Sequence, residues 1–193
     1  MKEIISVNIG EQGTRVGSQF WRMISREHGL NEAGQLSCSS LDKVDKMGVF
    51  WEESRKGQEL SYLPRRLDVV NREEDNIERI RREVERCDSL HGFQVCQSME
   101  ESKRSMFEDI KEEYPCEIIH TYSMMSHETS VENIMTLSDL KTFSDSVVLF
   151  DEKKLKDICT QNMMNHKSEA SHLVARVMAD VSSLFRFPSE VKS

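Results

Sequence analysis

The sequence predicts an α/β fold, and three observations predict it. The chain opens on a β-branched run, Ile4, Ile5, Val7 and Ile9, which favours a strand buried against neighbours on both faces. Gly10, Gly13 and Gly17 follow where such a strand must turn sharply into a helix. Val16, Phe20, Trp21, Met23 and Ile24 then recur at roughly helical spacing until Gly29 stops the helix. Further on, short strand-like runs at 63–70, 93–98, 118–124 and 147–150 alternate with helical stretches.

Composition narrows the function. A chain of 193 residues suits one domain that buries about 70% of its unfolded surface. Its 26 basic and 34 acidic residues give a net charge of −8, which argues against a nucleic-acid partner, since phosphate contacts need clustered Lys and Arg. No run approaches the roughly 20 apolar residues of a membrane span, and Glu3 argues against a signal peptide. Cys38, Cys87, Cys96, Cys116 and Cys159 are odd in number and form no C-x-x-C pair, so they read as reduced thiols. The six histidines are equally dispersed, and no metal site is expected.

Each element after the first helix has its own signal. Residues 31–62 are polar, punctuated by Gly34, Gly48 and Gly57, and read as a long surface connection pinned by Val49, Phe50 and Trp51. The run 63–70 reads as the second strand, with Pro64 near its start. In the helix beginning near Arg72, Ile77, Ile80, Val84 and Cys87 share one face, and Asp75–Arg79, Glu78–Arg82 and Arg81–Glu85 are spaced to pair on the other. Met106, Ile110 and Tyr114 continue a helix after the strand 93–98, and 147–150 reads as a buried strand. The last helix carries a broad apolar stripe from Leu173 to Phe185, with Pro188 past its end.

The wording of these segments closely resembles the tubulin family, and beta-tubulin above all. MKEIISVNIG, GSQFW and SREHG stand where that family reads MREI, FW and SDEHG; ERCDSLHGFQ matches ESCDCLQGFQ; KEEYP and IIHTYSMM match REEYP and IMNTYSVV; DEKKLKDIC matches DNEALYDIC. The resemblance implies a three-layer, Rossmann-like nucleotide-binding domain over 1–193 with a mostly parallel sheet and one edge βα unit missing. The family's intermediate and C-terminal domains have no counterpart in this sequence. It also implies that 49–66 faces neighbouring protofilaments, as the matching loop does in tubulin.

The resemblance also implies GTP as cofactor and points to Gly10, Glu11, Gln12, Gly13, Ser98, Glu152 and Ser171 as the site positions. Departures at that site imply weak or lost binding. The family's GGGTGSG loop is replaced by a shorter connection with Glu100, Glu101 and Ser102, and carboxylates repel phosphate. Glu11 stands where the family has glutamine, Gln12 where it has cysteine, and Glu152 where it has the asparagine that contacts the nucleotide. Lys167 replaces the aromatic that stacks on guanine, and Ser171 the asparagine that reads the base; His172 keeps the family histidine as a packing residue. The family's acidic metal-loop residue aligns with Arg72, so magnesium is not expected. No catalytic residue is assigned, and GTPase activity is expected to be lost. The implied role is an interaction or regulatory protein of the cytoplasm and cytoskeleton. Its expected partners are tubulin subunits or tubulin assembly factors, with self-association through the helix at Leu173 to Phe185. The alternative is a GTP-binding structural constituent of microtubules.

Overall fold

The computed structural model describes residues 2–36, 46–57, 59–70, 76–126, 131–161 and 166–187. Its centre is the opening run: β1 (Glu3–Ile9) lies in mid-sheet and is buried on both faces apart from the half-buried Ile4. The sheet adds β4 (Arg66–Val69), β5 (Leu90–Ser98), β6 (Ile118–Met125) and β7 (Ser146–Asp151), in the order β4-β1-β5-β6-β7. Every pairing in it is parallel, with Val7 opposite both Leu67 and Val95. A parallel sheet of this kind needs helices on both faces.

They are supplied in two layers. On one side α1 (Gly10–Glu27), α5 (Glu152–Gln161) and α6 (His166–Arg186) cover a core of Phe20, Trp21, Ile24, Cys96, Tyr122, Val174 and Met178. On the other, α2 (Asn76–Glu85), α3 (Arg104–Glu113) and α4 (Val131–Phe143) cover Ile5, Val7, Ile9, Phe93, Val95 and Ile119. The two-residue strand period divides β5 between them, with Phe93 and Val95 on one side and Cys96 on the other. The helix α2 carries the chain across β1, because β4 and β5 flank that strand on opposite sides.

The structure corrects the reading of residues 31–62. Their second half is an antiparallel hairpin, β2 (Trp51–Lys56) and β3 (Glu59–Pro64), preceded by a 3-10 turn at Met47–Val49. Pro64 therefore ends β3, and the second sheet strand begins only at Arg66. The hairpin shows no strand-like alternation because charged residues fill β2, while Phe50, Trp51 and Tyr62 are buried beneath α1. Phe20, Trp21, Phe50 and Trp51 form an edge-to-face cluster with centroids 5.6–6.3 Å apart.

Three smaller corrections follow. The strand β7 is not buried: it is the sheet's outer strand and Leu149 is exposed. Of the charge pairs expected on α2, Glu78–Arg82 is present at 3.7 Å, Asp75 lies outside the described residues, and Arg81 pairs with Glu78 and Glu113 instead of Glu85. His172 is exposed, so it is not a packing residue. A pair with no sequence signal closes the far end of the sheet: Glu3 and Arg65, both 5% exposed, form a buried ion pair. Arg65 also donates to the Arg86 carbonyl at 3.0 Å, and Glu3 accepts the Ser89 N–H at 2.6 Å.

Candidate functional site

Of the residues singled out by sequence, Gly10, Glu11, Gln12, Gly13 and Ser98 lie at the carboxyl ends of β1 and β5, where open α/β sheets place their ligand crevices. Gly10 joins β1 to α1 with φ +73°, a conformation that a side chain disfavours. Gly13, one turn on, lies over the carbonyl of Cys96, and a Cβ there would overlap that oxygen. Gly17 comes as close to the Asn8 side chain. These two glycines let α1 lie directly on β1 and β5, so its N-terminus ends beside the end of β5.

The chain leaves β5 at Ser98, which is buried, and turns through a 3-10 segment, Met99–Glu101. That turn points Glu101 back at α1. Its carboxylate accepts the backbone N–H of Glu11 at 2.9 Å and of Gln12 at 3.3 Å. These are first-turn donors with no partner inside the helix, and the helix dipole favours a negative charge beside them. A Cβ on Gly10 would overlap the Glu101 carboxyl group, so the absent side chain makes the room that Glu101 fills.

Gln12, Glu152 and Ser171 meet on the other side of α1. With Arg15, Met124, Leu155, Lys156 and Ala170 they line a cavity of about 210 Å³. Both cations there are already engaged: Arg15 pairs with Glu11 at 2.6 Å and Lys156 with Glu152 at 3.4 Å. The Gln12 side-chain oxygen is buried with no hydrogen-bond partner. Asp151 caps α5 by accepting the N–H groups of Lys153 and Lys154 at 2.8 and 3.1 Å. Lys167 belongs to α6, but its side chain, like the whole of Arg72, lies outside the described residues.

A phosphate placed on the Glu11 and Gln12 N–H groups would have to displace Glu101 and would meet that carboxylate, with Glu100 and Glu11 close by in sequence. The residues present therefore do not suit a triphosphate in this arrangement. Arg104 does not relieve the charge, because it is paired with Glu108 at 2.8 Å and Asp139 at 2.7 Å. The sequence marks Glu101 as repulsive but not as a hydrogen-bonded ligand of α1. The available signal was an acidic residue three positions past a strand whose neighbour opens a helix at a glycine.

The four described cysteines, Cys87, Cys96, Cys116 and Cys159, are free. Among the described residues no three acidic, His or Cys side chains are grouped to hold a metal, and no helix is long and apolar enough to cross a membrane.

No family model matches the chain. Curated relatives do, each over the whole of it. The tubulin beta chain of Aspergillus fumigatus is 27% identical over 251 residues, of which this chain covers 55% of that protein. The tubulin beta-3 chain of Echinococcus multilocularis is 26% identical over 252, and the tubulin beta-1 chain of Hypocrea rufa 28% over 253, each covered to 56%. The chain thus spans about half the length of the curated relatives it matches, and the alignments, longer than its 193 residues, cross gaps in it. Together with the parallel sheet and its flanking helices, this shows that the chain is similar along its entire length to the tubulin family, and to the beta-tubulins in particular.

Proposed function

We propose that this chain is a tubulin-like interaction or regulatory protein of the microtubule cytoskeleton, cytoplasmic, whose site has lost tight GTP binding and turnover. The observation that carries this reading is the Glu101 carboxylate on the Glu11 and Gln12 N–H groups. It sets a fixed negative charge where a phosphate would have to bind. In this reading 1–193 acts as a single nucleotide-domain-like unit, without magnesium and without a catalytic residue.

The surface for its partners, tubulin subunits, tubulin assembly factors or a second copy, is α6. Val174, Ala175, Met178 and Ala179 of that helix are buried, whereas Val177, Val181, Leu184 and Phe185 are exposed, Leu184 at 76%. One sheet face cannot take the whole stripe, because 100° per residue spreads it around the axis.

Two measurements test the proposal. Calorimetry with GTP is expected to give a dissociation constant weaker than about 10 μM, roughly 7 kcal/mol, and co-sedimentation is expected to bring the protein down with microtubules. A tighter constant would favour a GTP-binding structural constituent of microtubules. Absence from the pellet would remove the interaction reading.

A further inference from the structure

We infer that the outer edge of β7 is the contact for a second copy of this chain, the two strands pairing antiparallel about a two-fold axis into one continuous sheet. The inference depends neither on the proposed loss of nucleotide binding nor on the α6 surface. Among the described residues β7 pairs with β6 alone, without a break from Ser146 to Asp151. A strand with one neighbour leaves half of its N–H and C=O groups without a ladder partner. Proteins blunt such edges with charge, proline, a bulge or a short strand.

The opposite edge of the sheet is blunted in that way. There β4 is four residues long, Arg66 and Asp68 pair across 2.7 Å, and Arg79 donates to the Asp68 carbonyl at 3.0 Å. The strand β7 carries no proline, glycine or bulge, and its middle, Val147–Phe150, is an uninterrupted apolar run. Leu149 within that run is 44% exposed. The apolar surface continues onto α4, where Ile134 and Leu137 are exposed as well. Between strand and helix lies a groove of about 630 Å³, lined by Ile134, Leu137, Leu140, Lys141, Val147 and Leu149.

A second copy fits this edge because the edge is complementary to itself. A two-fold axis normal to the sheet keeps each face on its own side, so the strand period sets odd positions opposite odd and even opposite even. Centred on Leu149, the axis places Leu149 against its copy, Val148 against Phe150 and Val147 against Asp151. No like charges meet in that register, whereas centring on Val148 would oppose Asp145 to Asp151. The charges beside the groove, Lys141 and Asp145, are opposite in sign, so a copy laid on it meets no single-sign patch.

The test is sedimentation of the whole chain as wild type, L149K, L149E and an equal mixture of the two variants. Wild type is expected to dimerise with a dissociation constant of about 10 μM, in the range of a small interface. Each charged variant sets two like charges face to face and is expected to weaken association at least about tenfold. The mixture sets opposite charges there and is expected to regain the dimer. A wild type still monomeric at about 100 μM would overturn the inference, as would a dimer that both variants leave intact. A mixture that stays monomeric, although both variants melt cooperatively, would overturn the pairing through Leu149. Should either variant not fold, amide exchange of the wild type at 146–151 decides. Protection there that rises with protein concentration supports the contact, and protection independent of concentration overturns it. None of these results turns on GTP, so failure here is separate from failure of the proposed function.

Discussion

Gly13 of α1 lies so close to Cys96 of β5 that a Cβ at the glycine would overlap the Cys96 carbonyl oxygen. That approach holds the N-terminus of α1 within reach of Glu101, and the obstacle is backbone, which cannot rotate away. Gly13→Ala is therefore expected to destabilise the protein by about 1–3 kcal/mol through forced separation of helix and sheet. Denaturant melts check this, and the Glu11 and Gln12 amides should lose protection with it.

Arg186, 1% exposed at the end of α6, donates to Glu27 at the end of α1 across 2.6 Å. It also donates to the Ala179 carbonyl at 2.7 Å and the Ser182 hydroxyl at 3.1 Å. Burial works against its charge and the Glu27 carboxylate in its favour. Arg186→Met keeps the aliphatic volume but removes the hydrogen bonds to the Ala179 carbonyl, the Ser182 hydroxyl and Glu27, so a loss of about 2–4 kcal/mol is expected. Without Arg186 the partly exposed Glu27 can take up water, whereas Glu27→Gln leaves the buried Arg186 charge without its carboxylate and is expected to cost at least as much. Chemical denaturation of the two variants measures the difference.

His120 is half-buried on β6, its ring 4.5 Å from Tyr122, and burial holds its pKa below the ordinary 6.5. The unfolded chain therefore takes up a proton near pH 6.5 that the folded chain resists. Stability is expected to fall as pH drops through that value toward the lower folded pKa. His120→Asn should flatten this part of the stability–pH curve below about pH 6.5. A wild type with no decline there, followed by thermal melts, would refute the assignment.

Thiol reactivity should follow burial. Burial pushes the Cys87 thiol up to about 11 and the Cys96 thiol up to about 12, whereas Cys116 is exposed. With a disulfide reagent on the native protein, Cys116 is expected to react ahead of Cys87, and Cys96 only on unfolding. Under denaturing, non-reducing conditions all five cysteines of the chain should titrate as free thiols.

The α6 surface is tested by a Val177→Asp, Val181→Asp double variant, since both side chains are exposed on the helix. Light scattering and pull-down with tubulin are expected to show weaker association at unchanged secondary structure, by about 1–3 kcal/mol for each central change. A wild type that stays monomeric and captures no tubulin, or a variant that simply unfolds, would defeat the interface.

Much of this was legible in residue order. The run Ile4–Ile9 and the glycines after it marked β1 and α1, and Phe93–Ser98 and Ile118–Met124 fell within β5 and β6. Gly10 to Gly13 and Ser98 stand at the ends of the neighbouring strands β1 and β5, and Gln12, Glu152 and Ser171 line one cavity. The hairpin was not legible, because β2 is charged and polar after the buried Trp51 and shows no apolar alternation. Nor was the exposure of β7, since an apolar run does not say whether a strand has one neighbour or two.

The sequence by itself determined the alternation of strands and helices, the surplus of acid, and the carboxylates of Glu100 and Glu101 just past β5. These are local properties, set by side-chain period and residue type. Only the tertiary structure decided where the carboxylates point. Glu101 meets the Glu11 and Gln12 N–H groups because β5 and β1 pair in parallel and Gly13 lets α1 lie against the Cys96 backbone. A contact across some 90 residues depends on sheet register and helix approach, and neither is written in any one segment.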